Sequence, residues 1–261
     1  MRKGAWLLAL AVLAGCADMR VGGSAGSSMG VPVQETEARA RAKVFTELGF
    51  AYFSRSQMKV ALDEARKAIS VENRYGPAYH LLGLIYMELE EDVLAEENFR
   101  KALEIDRGDS DAHNSYGWFM CTRGRYDEGL AQFTEAMRNP LYSKPELAMV
   151  NSGLCSERRG DLGQAESYYN KALKLAPNSP LPIVKLAKLH FRNGKLNDAQ
   201  RLLTRHQEIS PPTAEALWLG LRIERKLGDR SQEAIYNQQL RRNFPDAPET
   251  QLLLRGQYEN E

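Results

Sequence analysis

The chain has 261 residues, 43% of them hydrophobic and 26% charged, and its 35 Lys and Arg balance 34 Asp and Glu to a formal charge of +1. That composition is globular, neither disordered nor membrane-filling. So small a net charge gives no field to gather nucleic acid or an anionic surface, and no nucleic-acid partner is expected.

At the N-terminus, Arg2 and Lys3 precede an apolar stretch from Ala5 to Val12. The stretch is too short to span about 30 Å of hydrocarbon as a helix and reads as a secretory signal. It ends in Leu13-Ala14-Gly15-Cys16, which resembles a bacterial lipobox: the Cys16 thiol would accept the lipid and become the new N-terminus. An ordinary signal peptide with an incidental cysteine is the alternative reading. Residues 1–15 are thus expected to be cleaved, and acyl chains such as palmitate on Cys16 would anchor the chain at about 0.8 kcal/mol per buried methylene. Loss of Arg2 and Lys3 takes the formal charge from +1 to −1. Ala17 follows Cys16, and Asp18 lies one place beyond the position that enterobacterial sorting rules read as inner-membrane retention. The resemblance therefore implies the inner leaflet of the outer membrane, facing the periplasm of a Gram-negative bacterium.

Residues 16–36 hold Gly22, Gly23, Ser24, Gly26, Ser27, Ser28 and Gly30 with no apolar periodicity, the composition of a flexible tether. The tether matches G-x-S-x-G twice, but a nucleophile elbow needs a strand before it and a helix after it, and neither is predicted.

From about residue 37 to residue 248 the chain repeats itself. A small residue after a larger one recurs at Gly49, Gly83, Gly117, Gly153, Ala187 and Gly220, with spacings of 34, 34, 36, 34 and 33 residues. Twelve positions after each of the first five come Ala61, Ala95, Gly129, Ala165 and Ala199, and four later Ala65, Phe99, Phe133, Tyr169 and Leu203. This is the tetratricopeptide pattern. Each unit is predicted as two antiparallel helices whose small residues face each other, so that the backbones approach closely and larger side chains fill the gaps between hairpins. Pro177 and Pro211 stand where a second helix should stop. The expected fold is all-α: about six helix-turn-helix units in a right-handed superhelical solenoid, with residues 249–261 as a short terminal cap and tail, since an end repeat needs its open edge covered. The sixth unit departs from the register. Gln232, not a small residue, lies twelve after Gly220, and Ala234 is read as its substitute.

In such a stack the first helices line a concave groove through fixed positions of each unit. Carried across, these give Phe50, Phe53, Leu84, Met87 and Trp118 in the first half, and Glu157, Arg158, Lys188, Arg192, Glu224 and Arg225 beside Leu154, Phe191 and Leu221 in the second. Large apolar groups on a solvent-facing surface mark an interaction site. The same side chains could instead lean sideways onto adjacent helices.

Cys121 and Cys155 fall near the ends of first helices in consecutive units. An oxidising compartment favours their pairing. Helix axes about 8–10 Å apart oppose it. A disulfide and two buried thiols both stand. His80, His113, His190 and His206 are scattered without a metal-ligand spacing, and no phosphate loop, triad or singled-out carboxylate pair is present. No catalytic residue, metal, cofactor or small-molecule substrate is expected, and the chain reads as a protein-binding scaffold.

Two segments are more particular than the generic repeat: Asn114-Ser115-Tyr116-Gly117-Trp118-Phe119-Met120-Cys121, and Asn139-Pro140-Leu141-Tyr142 with its insertion before Asn151-Ser152-Gly153-Leu154-Cys155. With the lipobox, tether and six repeats, they resemble the PilF/PilW type IV pilus biogenesis lipoproteins along nearly the whole chain. The resemblance implies a pilotin, a lipoprotein that binds the pilus secretin and promotes its localisation and multimerisation, hence pilus biogenesis and twitching motility. The alternative is a lipid-anchored periplasmic adaptor for other envelope complexes, such as cell-wall hydrolases.

Overall fold

The first helix begins where Thr36 stops extended backbone from continuing: its hydroxyl accepts the Arg39 N–H at 3.1 Å. In this computed structural model residues 36–258 are described, and among them there are thirteen helices and no strand. The expected signal sequence, the acylated Cys16 and the Gly/Ser tether lie outside the described residues.

Twelve helices pair as six hairpins: α1 (Glu37–Phe53) with α2 (Met58–Val71), α3 (Gly76–Glu88) with α4 (Asp92–Ile105), and α5 (Ser110–Thr122) with α6 (Tyr126–Ala136). Then come α7 (Pro145–Arg159) with α8 (Leu162–Leu175), α9 (Pro180–Arg192) with α10 (Leu196–Ile209), and α11 (Ala214–Leu227) with α12 (Arg230–Asn243). Local chemistry sets the boundaries. Asp109, Asp161, Thr213 and Asp229 accept a first-turn N–H at α5, α8, α11 and α12. Prolines sit in the first turn of α3, α7 and α9, where a missing N–H loses no bond.

Within a hairpin the small residues permit the crossing. Gly49, Ala61, Gly83, Ala95, Gly117, Gly129, Gly153, Ala165, Ala187, Ala199 and Gly220 are all buried. A methyl group on Gly83 would lie 2.7 Å from the Phe99 ring, and one on Gly117 would lie 2.9 Å from both the Phe133 ring and the Gly129 carbonyl. Each hairpin also leans on the next. Second helices pack on the following first helix, and first helices touch directly at α1–α3, α3–α5, α5–α7 and α9–α11. Phe99 of α4 thereby stacks on Tyr116 of α5 at 5.6 Å, with Phe119 at 5.8 Å.

Each turn passes through one residue in the left-handed region: Ser56, Glu90, Gly124, Gly160, Gly194 and Gly228. The first five lie seven residues after the small residue of the first helix; Gly228 lies eight after Gly220. This corrects the reading of the sixth unit. Ala234 is exposed and fills no crossing. Tyr236, sixteen after Gly220, supplies the large side chain, 2.8 Å from where a Gly220 methyl would stand. The hairpin keeps its register because the first helix has gained a residue and the turn has lost one, leaving Gln232 exposed at the small position.

Helix α13 (Pro248–Leu254) starts one residue before the expected boundary and packs on α11 and α12. Leu253 joins Leu217, Trp218, Leu221, Tyr236 and Leu240 in one cluster, and the Thr250 hydroxyl donates to the Phe244 carbonyl at 2.6 Å. No described helix is long and apolar enough to cross a membrane.

Candidate partner-binding face

The first helices α1, α3 and α5 carry Phe50, Phe53, Leu84, Met87 and Trp118, and all five side chains are half-buried. The structure does not gather them into one patch. Phe50 and Phe53 pack on the cluster of Ala61, Ala65, Leu81 and Ile85. Leu84 and Met87 pack on Phe99, Tyr116 and Phe119. Trp118 packs on Cys121, Phe133 and Cys155, with the Arg158 guanidinium 4.8 Å over its ring. The five are thus shared among three interior clusters, each keeping one flank open.

Beside Phe50 lies a hollow of about 500 Å³ whose walls include Pro77, His80, Asp111, Asn114 and Lys144. His80 meets the Phe50 ring edge-on at 5.7 Å and shares a hydrogen bond with the Ser115 hydroxyl at 2.8 Å. Burial holds its pKa below the ordinary 6.5, against the opposing pull of Asp109 and Asp111, so the ring is neutral near pH 7. Across the hollow Asn151 donates to Asn114 at 3.0 Å, and Lys144 pairs with Asp111 at 3.3 Å. Tyr142, from the loop carrying the insertion, donates to the same carboxylate at 3.3 Å. Pro77, His80, Asp111 and Asn114 lie three or six residues before the small residue of their first helices, whereas the apolar groove residues lie one or four after it, and none of the four is a large apolar group. The hollow offers a neutral ring, the Asn114 amide and a carboxylate to a peptide backbone, next to an aromatic seat.

In the second half the expected mixed-charge surface is partly interior. Phe191, Leu221 and Glu224 are buried, and Gln200 donates to both Glu224 oxygens at 3.0 Å. Leu154, Lys188 and Glu157 are half-buried, Arg158, Arg192 and Arg225 exposed. Burial pushes the Glu157 carboxyl above its usual range, with Arg192 pulling it back.

Cys121 and Cys155 are joined in a disulfide with their Cα atoms 5.6 Å apart. The separation of helix axes misleads here because both cysteines lie on the facing sides of α5 and α7, which are in direct contact. The histidines serve structure: His113 lies between Gln132 Oε1 and the Arg107 carbonyl, His190 lies 3.3 Å from Glu166, and His206 is buried. Among the described residues no group of three or more His, Cys, Asp or Glu gathers as a metal site.

Tetratricopeptide-repeat models match residues 76–109, 122–180 and 158–221. The type IV pilus assembly protein PilF of Pseudomonas aeruginosa is 28% identical over 221 residues, which is 84% of this chain and 88% of that protein. Its solved structure superposes with a TM-score of 0.73 over 85% of this chain and all of that one, at 27% identity. The solved structure of PilW, a type IV pilus biogenesis factor, superposes with a TM-score of 0.72, at 31% identity over 82% of this chain and 98% of the other. The chain belongs to the PilF/PilW family of tetratricopeptide-repeat proteins.

Proposed function

We propose that the chain is a type IV pilus biogenesis protein that acts as a pilotin: acylated at Cys16 on the inner leaflet of the outer membrane, it holds a segment of the pilus secretin on its first-helix face and promotes the ring's assembly. The observation that carries this reading is the match to PilF and PilW over more than four-fifths of the chain. The face itself supports it. The half-buried Phe50 beside a hollow lined by His80, Asn114 and Ser115 suits an extended peptide, whose side chains need apolar seats and whose backbone needs hydrogen-bond partners.

Deleting the gene should abolish twitching and leave the secretin as monomers in the outer membrane. Phe50→Ala with Trp118→Ala should weaken capture of the secretin about tenfold or more, the scale of two anchor side chains, with the helical circular dichroism unchanged. Normal secretin multimers in the deletion strain would refute the pilotin role, and disturbed septation in the same strain would point to a cell-wall adaptor.

A further inference from the structure

Arg222, two residues past Gly220 in α11, is only 7% exposed. Its guanidinium lies 4.7 Å from the centre of the Phe191 ring and 6.0 Å from that of Trp218. Ring faces attract the charge but leave the directed demands of its N–H donors unmet. Nε is fully buried without an acceptor, and no carboxylate among the described residues pairs with the group. Several other cations among the described residues have carboxylate partners. Arg123 takes Asp92, Arg125 takes Glu96 and Glu128, and Lys185 takes Glu215. A buried cation lacking a counter-charge is unfavourable in the isolated fold, so its presence points to a group supplied from outside.

The fold leaves space for that group. A hollow of about 220 Å³ opens where α9, α11 and α13 meet, walled by Lys188, Glu215, Trp218, Arg222, Glu249 and Leu252. Glu215 is already taken by the Lys185 ammonium at 2.8 Å. Lys188 makes no ion pair among the described residues, and the Lys226 ammonium lies 4.8 Å from the centre of the Phe191 ring.

We propose that this hollow is a seat for a carboxylate of the bound partner segment. Arg222 donates the forked pair of hydrogen bonds, Lys188 adds a third, and the Trp218 face holds the aliphatic part of the guest. The carboxylate can come from an Asp or Glu side chain or from a chain terminus. The proposal rests on the reading that the first-helix face takes up a partner segment, but not on that partner being a secretin, and its residues lie on the fifth and sixth hairpins and α13, whereas those of the hollow beside Phe50 lie on the first four hairpins.

The test uses the full chain in detergent and fluorescein-labelled Gly/Ser peptides of equal length, read by anisotropy. One carries glutamates and an amidated end, one carries glutamines and an amidated end, and one carries glutamines with a free terminal carboxylate. The glutamate peptide should bind and the amidated glutamine peptide should not. Binding by the free-acid glutamine peptide instead would assign the seat to a chain terminus. Arg222→Met should weaken the carboxylate peptide about tenfold or more, with Arg222→Lys between the two. Arg222→Met should also leave the thermal midpoint unchanged or raise it, because it removes an unmatched buried charge; a purely structural arginine would lower it. Should Arg222→Met fail to fold, Lys188→Gln decides on its own: weaker carboxylate binding at unchanged stability supports the seat, and unchanged binding overturns it. Equal binding of all three peptides, or no carboxylate binding tighter than about 1 mM, overturns it as well. Because the peptides contain no secretin sequence, normal peptide binding with failed secretin capture would count against the pilotin alone.

Discussion

His80 shows how one side chain can belong to both the interior and the binding face. Its ring is closed in by Phe50 and Phe99 and tied to Ser115, yet it walls the hollow beside Phe50. Its folded pKa lies below the ordinary 6.5 because burial disfavours the imidazolium. The unfolded chain therefore binds the extra proton, and stability is complete above about pH 6.5 and falls as the pH drops toward the folded value. His206, buried with its Nδ1 lacking a partner, contributes in the same direction. Thermal midpoints followed from about pH 8 down to about pH 5 should decline, and His80→Gln should flatten part of that decline. Parallel profiles for the two proteins would remove His80 from the account. His80 also shows what the sequence concealed. Its repeat position marks it for the groove, but nothing in the residue type alone says that a histidine there lines a cavity instead of coordinating a metal.

At the scale of the element, the turns between paired helices carry a constraint that four hairpins meet with glycine and two do not. Ser56 and Glu90 hold φ of 58° and 60°, a region where a side chain crowds its own carbonyl. Glycine relieves that crowding while adding freedom to the unfolded chain, so Glu90→Gly should stabilise by about 0.5–1 kcal/mol. Chemical denaturation checks this: a lower urea midpoint at unchanged slope would contradict it. The same turns explain where the repeat was legible and where it was not. In the first five units the spacing from small residue to turn is constant, so the helices can be placed from Gly49, Gly83, Gly117, Gly153 and Ala187 alone. In the sixth, Gly228 has moved by one, and matching on the small residue misled toward Ala234. Matching on the aromatic would have found Tyr236, because its ring against Gly220 is the contact that holds the crossing. Ion pairs between successive hairpins recur as well, Asp92 with Arg123 and Asp127 with Arg159, but these exposed pairs contribute only about 0–1 kcal/mol each.

Over the whole described chain, stability is carried by neighbour contacts, so each hairpin feels mainly the ones beside it. The Cys121–Cys155 bridge is the covalent exception, tying the third hairpin to the fourth. Closing a loop of 34 residues restricts the unfolded chain by about 4 kcal/mol. Reduction should therefore lower the thermal midpoint by roughly 8–16 °C for a chain of this size, and both sulfurs are buried, so it should proceed slowly under native conditions. Coincident melting curves with and without a reductant would show that the bridge adds nothing. Fold, repeat number and the apolar groove residues can be read from spacing because they depend on residue size at fixed intervals. The polar walls of the two hollows cannot: they arise where several helices meet, and Arg222 lies outside the groove positions of its own unit.

The placement of indole rings has a practical consequence. The sequence holds three tryptophans, and Trp6 would leave with the signal, so the mature protein would emit from Trp118 and Trp218 alone. One lies beneath Arg158 in the first half, and the other stacks on Tyr258 beside Arg222 in the second. Replacing either with phenylalanine would leave a single indole emitter in the cleaved chain, so that occupancy at each end could be followed optically in one unlabelled molecule.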